Sequence, residues 1–261
     1  MKPRQHLRTS DIAKAVGAHP NTVRLYEEWG FLPPVPRSPS GYRLYTQAHL
    51  DQMQFARTAL HGGWPGRNIR QSALALVRQA ASGDLGGALE QAYHHLVLVQ
   101  AERAQAEAAA KLLKRWAQGI AADATSKSQQ IGEAAKLLGV TTDILHNWER
   151  NGLIKTPRDP NSGYRLYGAA EMGRLRVIRM LSRAGYSTMA ILRMLLHLDQ
   201  GKGGDLRQVL DTPRPDEDAY TAADRWLSTL AEQENRARQM VRQLEEMIQK
   251  QIPKSQNSRS L

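Results

Sequence analysis

One hexapeptide in this chain occurs twice, and its surroundings repeat with it. Ser40-Gly41-Tyr42-Arg43-Leu44-Tyr45 returns as Ser162-Gly163-Tyr164-Arg165-Leu166-Tyr167, 122 residues further on. The same offset carries Ala13-Lys14 onto Ala135-Lys136, Gly17 onto Gly139, Glu27 onto Glu149 and Gly30 onto Gly152. No gap is needed over more than thirty residues, which marks a duplicated unit rather than a chance coincidence. A duplication divides the 261 residues into two units of roughly 110–120 each, so two small domains are expected in place of one large one.

The net charge of +11 makes a polyanion the natural partner, either nucleic acid or an anionic membrane surface. Pattern argues against the membrane, because no apolar run approaches the ~20 residues that a spanning helix needs. The N-terminus also lacks the apolar core of a secretory signal. With no cysteine, disulfides, thiolate zinc sites and Cys-ligated iron–sulfur clusters are excluded, and a cytoplasmic, nucleoid-associated location is expected.

Residues 8–16 offer Thr9 or Ser10 as an N-cap, then Ile12, Ala13 and Val16 at helical spacing, and Gly17 ends that helix. Pro20 suits the first position of a second helix, which carries Val23, Tyr26 and Glu27 and closes at Gly30. Two short helices joined by a tight Gly turn make a helix-turn-helix. The Pro- and Ser-rich stretch from Pro33 to Ser40 suits a loop between two short extended segments, a wing, and a helix follows from Gln47 to Leu60. The second unit repeats the plan. Gly139-Val140-Thr141 form turn and cap, and Ile144, Leu145 and Trp148 are expected to face inward. A wing spans Pro157–Tyr167, a helix runs from Ala170 through Leu181, and Gly185-Tyr186-Ser187 cap another helix with Ile191, Met194 and Leu195 apolar. Gly62-Gly63-Trp64-Pro65 are the counterpart in the first unit.

Each unit ends in a long helix. Leu85, Ala92, Val99, Ala106 and Leu113 recur every seven residues, interleaved with Leu89, Leu96, Arg103 and Ala110. Trp226, Leu230, Gln233, Ala237, Met240, Leu244 and Met247 alternate spacings of four and three. Both patterns are coiled-coil seams, and the two helices are natural partners. The fold class expected is therefore mainly α, with tandem winged helix-turn-helix domains each followed by a long coiled-coil-type helix. The divisions are 1–84 and 129–215 for the winged domains, 85–118 and 216–252 for the long helices, 119–128 for a linker and 253–261 for a basic disordered tail.

These motifs resemble the MerR family of bacterial transcription regulators. The family pattern runs Ile-Gly-Glu-x-Ala-Lys-x-x-Gly-Val-Ser, then Thr-Leu-Arg-Tyr-Tyr-Glu, then Gly-Leu-(Leu/Ile), and ends in a wing with Gly-Tyr-Arg-x-Tyr. The second unit matches at Ile131-Gly132-Glu133, Ala135-Lys136, Gly139-Val140-Thr141, Gly152-Leu153-Ile154, and Arg158 through Tyr167. The first matches at Ala13-Lys14, Gly17, Thr22 through Glu27, Gly30-Phe31-Leu32, and Gly41 through Tyr45. The resemblance covers nearly the whole chain and implies a regulator of transcription bound to double-stranded DNA, with RNA polymerase at the promoter as a second partner. Departures accompany it: Arg24 of the first unit is replaced by His146 in the second, and the Tyr-Tyr pair becomes Leu25-Tyr26 and Asn147-Trp148. Two unlike recognition helices imply an asymmetric operator. Metal- and redox-sensing members of the family use cysteines near the end of the long helix, and this chain has none; no cofactor is expected, and any small-molecule effector is left unnamed.

The resemblance and the chemistry of DNA readout together nominate DNA-contacting residues in both units. Arg24 could donate to guanine or to a phosphate, and Asn21 and Thr22 share its helix. Tyr26 could donate its hydroxyl to a phosphate or serve in packing, whereas Trp148 at the equivalent place reads as core, with a single donor. Arg43 and Arg165, with Arg37 and Arg158 across the wing, are placed to clamp backbone phosphates. Tyr42 and Tyr164 either touch the backbone or stand free, and Lys14 and Lys136 are candidate phosphate contacts beside the turn. In the second recognition helix Thr142, Asp143 and His146 are the candidate readers, with a merely solvated face as the alternative for His146. Tyr45 and Tyr167 read as structural. His94, His95 and His197 do not make a metal set, because adjacent histidines on a helix do not share a face.

No enzymatic constellation is present: there is no Gly-rich phosphate loop, no nucleophile with a base in local context, and no paired carboxylates off the solvated coil faces. The linker of about ten residues, at up to ~3.3 Å each, can bridge roughly 30 Å. That span allows the two long helices of one chain to pair antiparallel as an intramolecular pseudo-dimer, with a homodimer as the alternative. Other readings are an architectural, excisionase-like DNA-bending protein, or a ligand sensor with an aromatic pocket drawn from Trp64, Tyr93, Trp116, Tyr220 and Trp226.

Overall fold

In a computed structural model of the chain, residues 6–61, 66–117, 128–201, 204–213 and 225–251 are described. Residues 119–127 of the expected linker (119–128), the tail from 253, and the side chains of Trp64, Trp116 and Tyr220 lie outside them. The described residues form α1 (Thr9–Ala15), α2 (Pro20–Glu28), α3 (Gln47–Leu60), α4 (Gly66–Ala81) and α5 (Leu85–Ala117). The order repeats as α6 (Ile131–Leu138), α7 (Thr142–Arg150), α8 (Ala169–Arg183) and α9 (Thr188–Asp199), then a short α10 (Leu206–Asp211) and a long α11 (Trp226–Gln251). The fold is mainly α, and in the described residues the extended pairings are isolated bridges.

Contacts divide the chain into two units that do not follow chain order. The first takes residues 1–100 together with 232–261, and the second takes 101–231.

In the first unit, α1 and α2 bring Ile12, Ala13, Val23 and Tyr26 onto Met53, Phe55 and Ala56 of α3, with Leu76 and Val77 of α4 alongside. Leu85, Ala88 and Ala92 of α5 and Met240, Val241 and Leu244 of α11 complete the same buried cluster. The α5 and α11 segments of this unit run antiparallel, since Tyr93 bonds Glu245 at 2.9 Å while Gln100 bonds Glu234 at 3.1 Å. Gln52 sits inside this core, and its Nε2 donates to the carbonyls of Phe31 (3.0 Å) and Val77 (3.1 Å). The Phe31 carbonyl lies past the end of α2, and burying it unpaired costs on the order of 1–3 kcal/mol, whereas Val77 lies inside α4.

In the second unit the α6–α9 core includes Leu138, Leu145, Trp148, Leu175, Ile178, Ile191 and Leu195, all buried. Tyr186 is buried and donates its hydroxyl to the carbonyl of Ala106 in α5 (3.1 Å). Gly185 sits at φ +92°, and a Cβ there would lie 2.5 Å from the Trp226 ring, so only glycine allows the α8–α9 turn to pass beneath that indole. Trp226 in turn donates to the carbonyl of Ala184 at 2.7 Å. It is thereby a core residue and not the wall of a ligand pocket. Arg193, buried on α9, donates to the carbonyls of Val209 (2.7 Å) and Leu210 (3.0 Å), which holds α10 in place. The sequence pattern did not predict α10, because six residues are too few for a period to show.

Of the expected seams, Leu85, Ala92, Val99, Ala106, Ala110 and Leu113 are buried, as are Trp226, Leu230, Gln233, Ala237, Met240 and Leu244, while Leu89, Leu96, Arg103 and Met247 are half-buried. Three local expectations are corrected. The N-cap of α1 is Arg8, whose amide is accepted by Asp11 at 2.8 Å, so Thr9 is already helical. Ile144 faces outward and is 39% exposed. The wings are not related by an unbroken offset: Leu44 bonds back to Pro36 and Leu166 to Pro157, and Arg37 pairs with Arg43 where Arg158 pairs with Arg165. The second wing turn is one residue longer, and the segment before it one residue shorter, so the slip cancels in sequence.

Candidate nucleic-acid interface

Each unit builds one helix-turn-helix and one wing from the same local rules. Gly17 (φ +59°) and Gly139 (φ +58°) take the left-handed conformation between the two helices. The recognition helix α2 begins with Pro20 behind His19, whose ring accepts the Asn21 amide at 3.2 Å. Helix α7 begins behind Thr141, whose hydroxyl accepts the Ile144 amide at 3.3 Å. Both end in the same Gly-containing turn, with Phe31 bonded to the Tyr26 carbonyl at 2.8 Å and Leu153 to the Trp148 carbonyl at 3.0 Å. Each wing is then pinned to the strand-like segment before the first helix: Leu7 exchanges two backbone bonds with Tyr45, and Gln129 does so with Tyr167. Tyr45 and Tyr167 are buried.

On the recognition helix of the first unit, Asn21 and Arg24 are exposed, and Arg24 donates to the Asn21 side-chain oxygen at 2.7 Å. This bond presets both amide and guanidinium on one face. Thr22 is half-buried beside them. Tyr26 is buried, with its ring edge-on to Phe31 at 5.5 Å, so packing accounts for the ring itself. Lys14 is exposed near the turn. In the second unit Thr142 and Asp143 are exposed, His146 is half-buried, Lys136 is exposed, and Trp148 is buried.

The wings place Tyr42 and Tyr164 outermost, 75% and 66% exposed. The wing arginines are held from behind. Arg43 Nε donates to Glu27 at 2.6 Å, and Arg165 Nε donates to Glu149 at 2.7 Å. Glu27 also receives Arg37 (3.3 Å) and the Tyr45 hydroxyl (3.3 Å). Arg158 is used differently and donates to the Gly163 carbonyl inside its own wing turn at 3.0 Å. In this way a glutamate on each recognition helix fixes the angle between helix and wing. The repeat exposes Glu27 and Glu149 as a matched pair, but their partners emerge only from the folded geometry.

The wing tips differ in charge. Ser38 accepts the Tyr42 amide in the first (3.0 Å). In the second, Asp159 accepts the amides of Asn161 (2.9 Å) and Ser162 (2.7 Å) and the Ser162 hydroxyl (2.9 Å). These bonds hold its carboxyl below the ordinary range, so the second wing carries a fixed negative charge.

This geometry defines a protein with two winged helix-turn-helix heads, each backed by segments of long helices. Comparison with known proteins gives the family. The model of the MerR HTH family of regulatory proteins matches residues 7–75 and again 130–198, together more than half the chain. The chain belongs to that family and carries its unit twice. A probable heavy metal-dependent transcriptional regulator of Haemophilus influenzae is 40% identical over 72 residues, covering 28% of this chain and 56% of that protein. The HTH-type transcriptional regulator CueR of Salmonella typhimurium is 44% identical over 55 residues, 21% of this chain and 40% of its own length. The mercuric resistance operon regulatory protein of Serratia marcescens is 37% identical over 71 residues, 27% of this chain and 49% of its own. The chain thus spans about half the length of these curated relatives. No solved structure matches it. Among the described residues no helix is long and apolar enough to cross a membrane, and no group of three or more His, Cys, Asp or Glu is placed to hold a metal ion.

Proposed function

We propose that the chain is a transcriptional regulator that binds double-stranded DNA and reads two unlike half-sites as a single-chain pseudo-dimer. The observation that carries this reading is the composition of the first unit. Met240, Val241 and Leu244 near the end of α11 complete the core that α1–α5 begin, antiparallel to α5. A helix that a second copy would supply in a homodimer is here supplied by the same chain. Residues 1–84 and 129–215 are the two reading heads. In the first, Asn21, Thr22 and Arg24 read bases, as Arg and Asn do in the major groove, with Lys14, Tyr26, Arg37, Tyr42 and Arg43 on phosphates. In the second, Thr142, Asp143 and His146 read, with Lys136, Arg158, Tyr164 and Arg165 on phosphates. The Nε of Arg43 and that of Arg165 are each taken by a glutamate, which leaves their terminal nitrogens to reach a backbone oxygen. RNA polymerase at the promoter is the second partner under this reading, and the protein works in the cytoplasm at the nucleoid.

The test is selection of bound duplexes from a random pool, with the mass of the complex read by light scattering. An asymmetric two-part motif bound by one 29.2 kDa chain is the expected result. A palindrome bound by two chains would overturn the pseudo-dimer. Absence of any motif would overturn sequence-specific regulation in favour of an architectural role.

A further inference from the structure

A cleft in the first unit lies apart from the recognition helix and wing. It is open to solvent and offers about 700 Å³ between the last turns of α3, the end of α1 at Val16 and the 232–242 stretch of α11. Four arginines line it, Arg57 from α3 and Arg236, Arg238 and Arg242 from α11, against a single lining carboxylate, Glu232. Arg238 is neutralised by Glu234 at 2.7 Å. Arg57 and Arg242 have no carboxylate partner among the described residues. Arg236 is half-buried and donates to the His61 carbonyl, a neutral acceptor. Burial lowers its pKa from the ordinary value while Glu232 opposes that from a distance.

Removing a guanidinium from water against a neutral oxygen, beside two further unpaired guanidinium groups, costs free energy that an entering anion would recover. The planar forks of arginine match a tetrahedral oxyanion, two donors to two oxygens. Val16 is the one apolar residue in the lining, and there is no cluster of His or carboxylates, which argues against an apolar ligand or a metal. We propose that this cleft is a phosphate-binding site, distinct from the recognition helix and wing, and that it uses guanidinium groups from α3 and α11 together. The phosphate comes either from the backbone of bound DNA or from a free phosphate-bearing small molecule. The site itself does not require that the chain bind DNA.

The test compares the full-length protein with Arg57→Ala/Arg242→Ala, leaving Arg236 and its bond to His61 intact. In the first arm, melting temperature is followed in phosphate- and sulfate-free buffer as pyrophosphate is added, with chloride at matched ionic strength as control. The wild type is expected to gain about 4 °C or more near saturation. The double variant should gain nothing. In the second arm, the dependence of DNA affinity on salt is measured for both proteins. A slope reduced by about two in the variant assigns the phosphate to the DNA backbone. An unchanged slope with a lost pyrophosphate response assigns it to a free phosphate-bearing molecule. Arg57→Lys/Arg242→Lys, which keeps charge without the fork, should lose most of the pyrophosphate response while keeping the fold, and it serves if the alanine variant does not fold. Equal slopes together with equal pyrophosphate responses in wild type and variants would overturn the proposal. A wild type that ignores DNA altogether would sink the regulatory reading alone and leave the first arm decisive.

Discussion

Gln52 in the first unit and Arg174 in the second stand at equivalent places and do the same task with different chemistry. Each reaches the carbonyl that leaves the recognition helix: Gln52 that of Phe31 at 3.0 Å, Arg174 that of Leu153 at 2.6 Å. Gln52 is neutral and spends its other donor on the Val77 carbonyl. Arg174 brings a charge, which Asp199 at the end of α9 receives at 2.7 and 2.9 Å. Duplication therefore preserved the requirement, a paired carbonyl at that exit, and not the residue. The same split runs through the helix-turn-helix and wing of each unit. Glu27 gathers three donors and Glu149 one; Ser38 turns the first wing and the anionic Asp159 the second. With Arg24 opposite His146 and Asn21 opposite Asp143, the first head carries the more positive charge at these positions.

Four measurements bear on how far the two units differ. The largest expected effect concerns pH. Burial pulls the His95 imidazole in the first unit down to about 4, and burial pushes the Tyr186 phenol in the second well above its ordinary value of 10. As pH falls below ~6.5 the unfolded chain takes up a proton that buried His95 refuses, so stability falls from there to about pH 4. Each tenfold change in proton affinity is worth about 1.4 kcal/mol, so the drop from 6.5 to about 4 amounts to ~3 kcal/mol. Tyr186 acts at the other end, where stability is present below ~10 and falls as the unfolded phenol ionises above it. Urea unfolding at pH 7 and pH 4.5 should show the wild type losing ~2–3 kcal/mol more than His95→Gln. Equal losses would mean that His95 is already protonated in the folded first unit.

Next in size, Arg174→Met should destabilise by ~2–3 kcal/mol, because it orphans the Leu153 carbonyl and removes a two-pronged ion pair with exposed Asp199. Gln52→Met should cost about 1 kcal/mol, because it orphans the Phe31 carbonyl but also removes a buried side-chain oxygen that has no partner. Chemical denaturation of the pair decides, and an equal or reversed order would mean that the Asp199 ion pair adds nothing. On the reading side, Arg24→Ala should weaken binding to the selected motif by ~1–3 kcal/mol and relax base preference in one half-site only. His146→Ala should cost less in the other half-site. Loss of preference in both halves would show that the heads do not read separately. The smallest effect is at the second wing. Asp159→Asn keeps the turn, since the amide oxygen still accepts, and removes the charge. Affinity for DNA at low salt should rise about two- to fivefold, and the gain should vanish at high salt as screening sets in. No gain would place the Asp159 carboxylate away from the phosphates.

Much of this was legible in the residues. Ser187 caps α9 by accepting the Ala190 amide at 3.0 Å, and Thr141 caps α7, as their positions after a glycine turn predict. The buried seams of α5 and α11 follow from spacing, and Tyr45 and Tyr167 are buried as their structural reading required. Other features were not legible. Ile144 looked like a third inward residue by apolar character, yet Leu145 and Trp148 fill that face and leave Ile144 outside. The one-residue slip of the wing is invisible to an ungapped comparison because it cancels within ten residues. The roles of Glu27 and Glu149 needed a partner sixteen residues away brought within 2.7 Å.

The sequence by itself determined the duplicated plan, the helical class, the turns at Gly17 and Gly139, and which face of each long helix is apolar. These are near-neighbour properties, set by φ preferences and by periods of two to four residues along the chain. Only the tertiary structure decided that Met240, Val241 and Leu244 close the core of the first unit, and that Gln52 and Arg174 pair the orphaned carbonyls. It alone also gathered Arg57, Arg236 and Arg242 around one cleft. Burial and hydrogen-bond satisfaction depend on which groups meet in space, and residues about 200 apart meet only after the fold has chosen its neighbours.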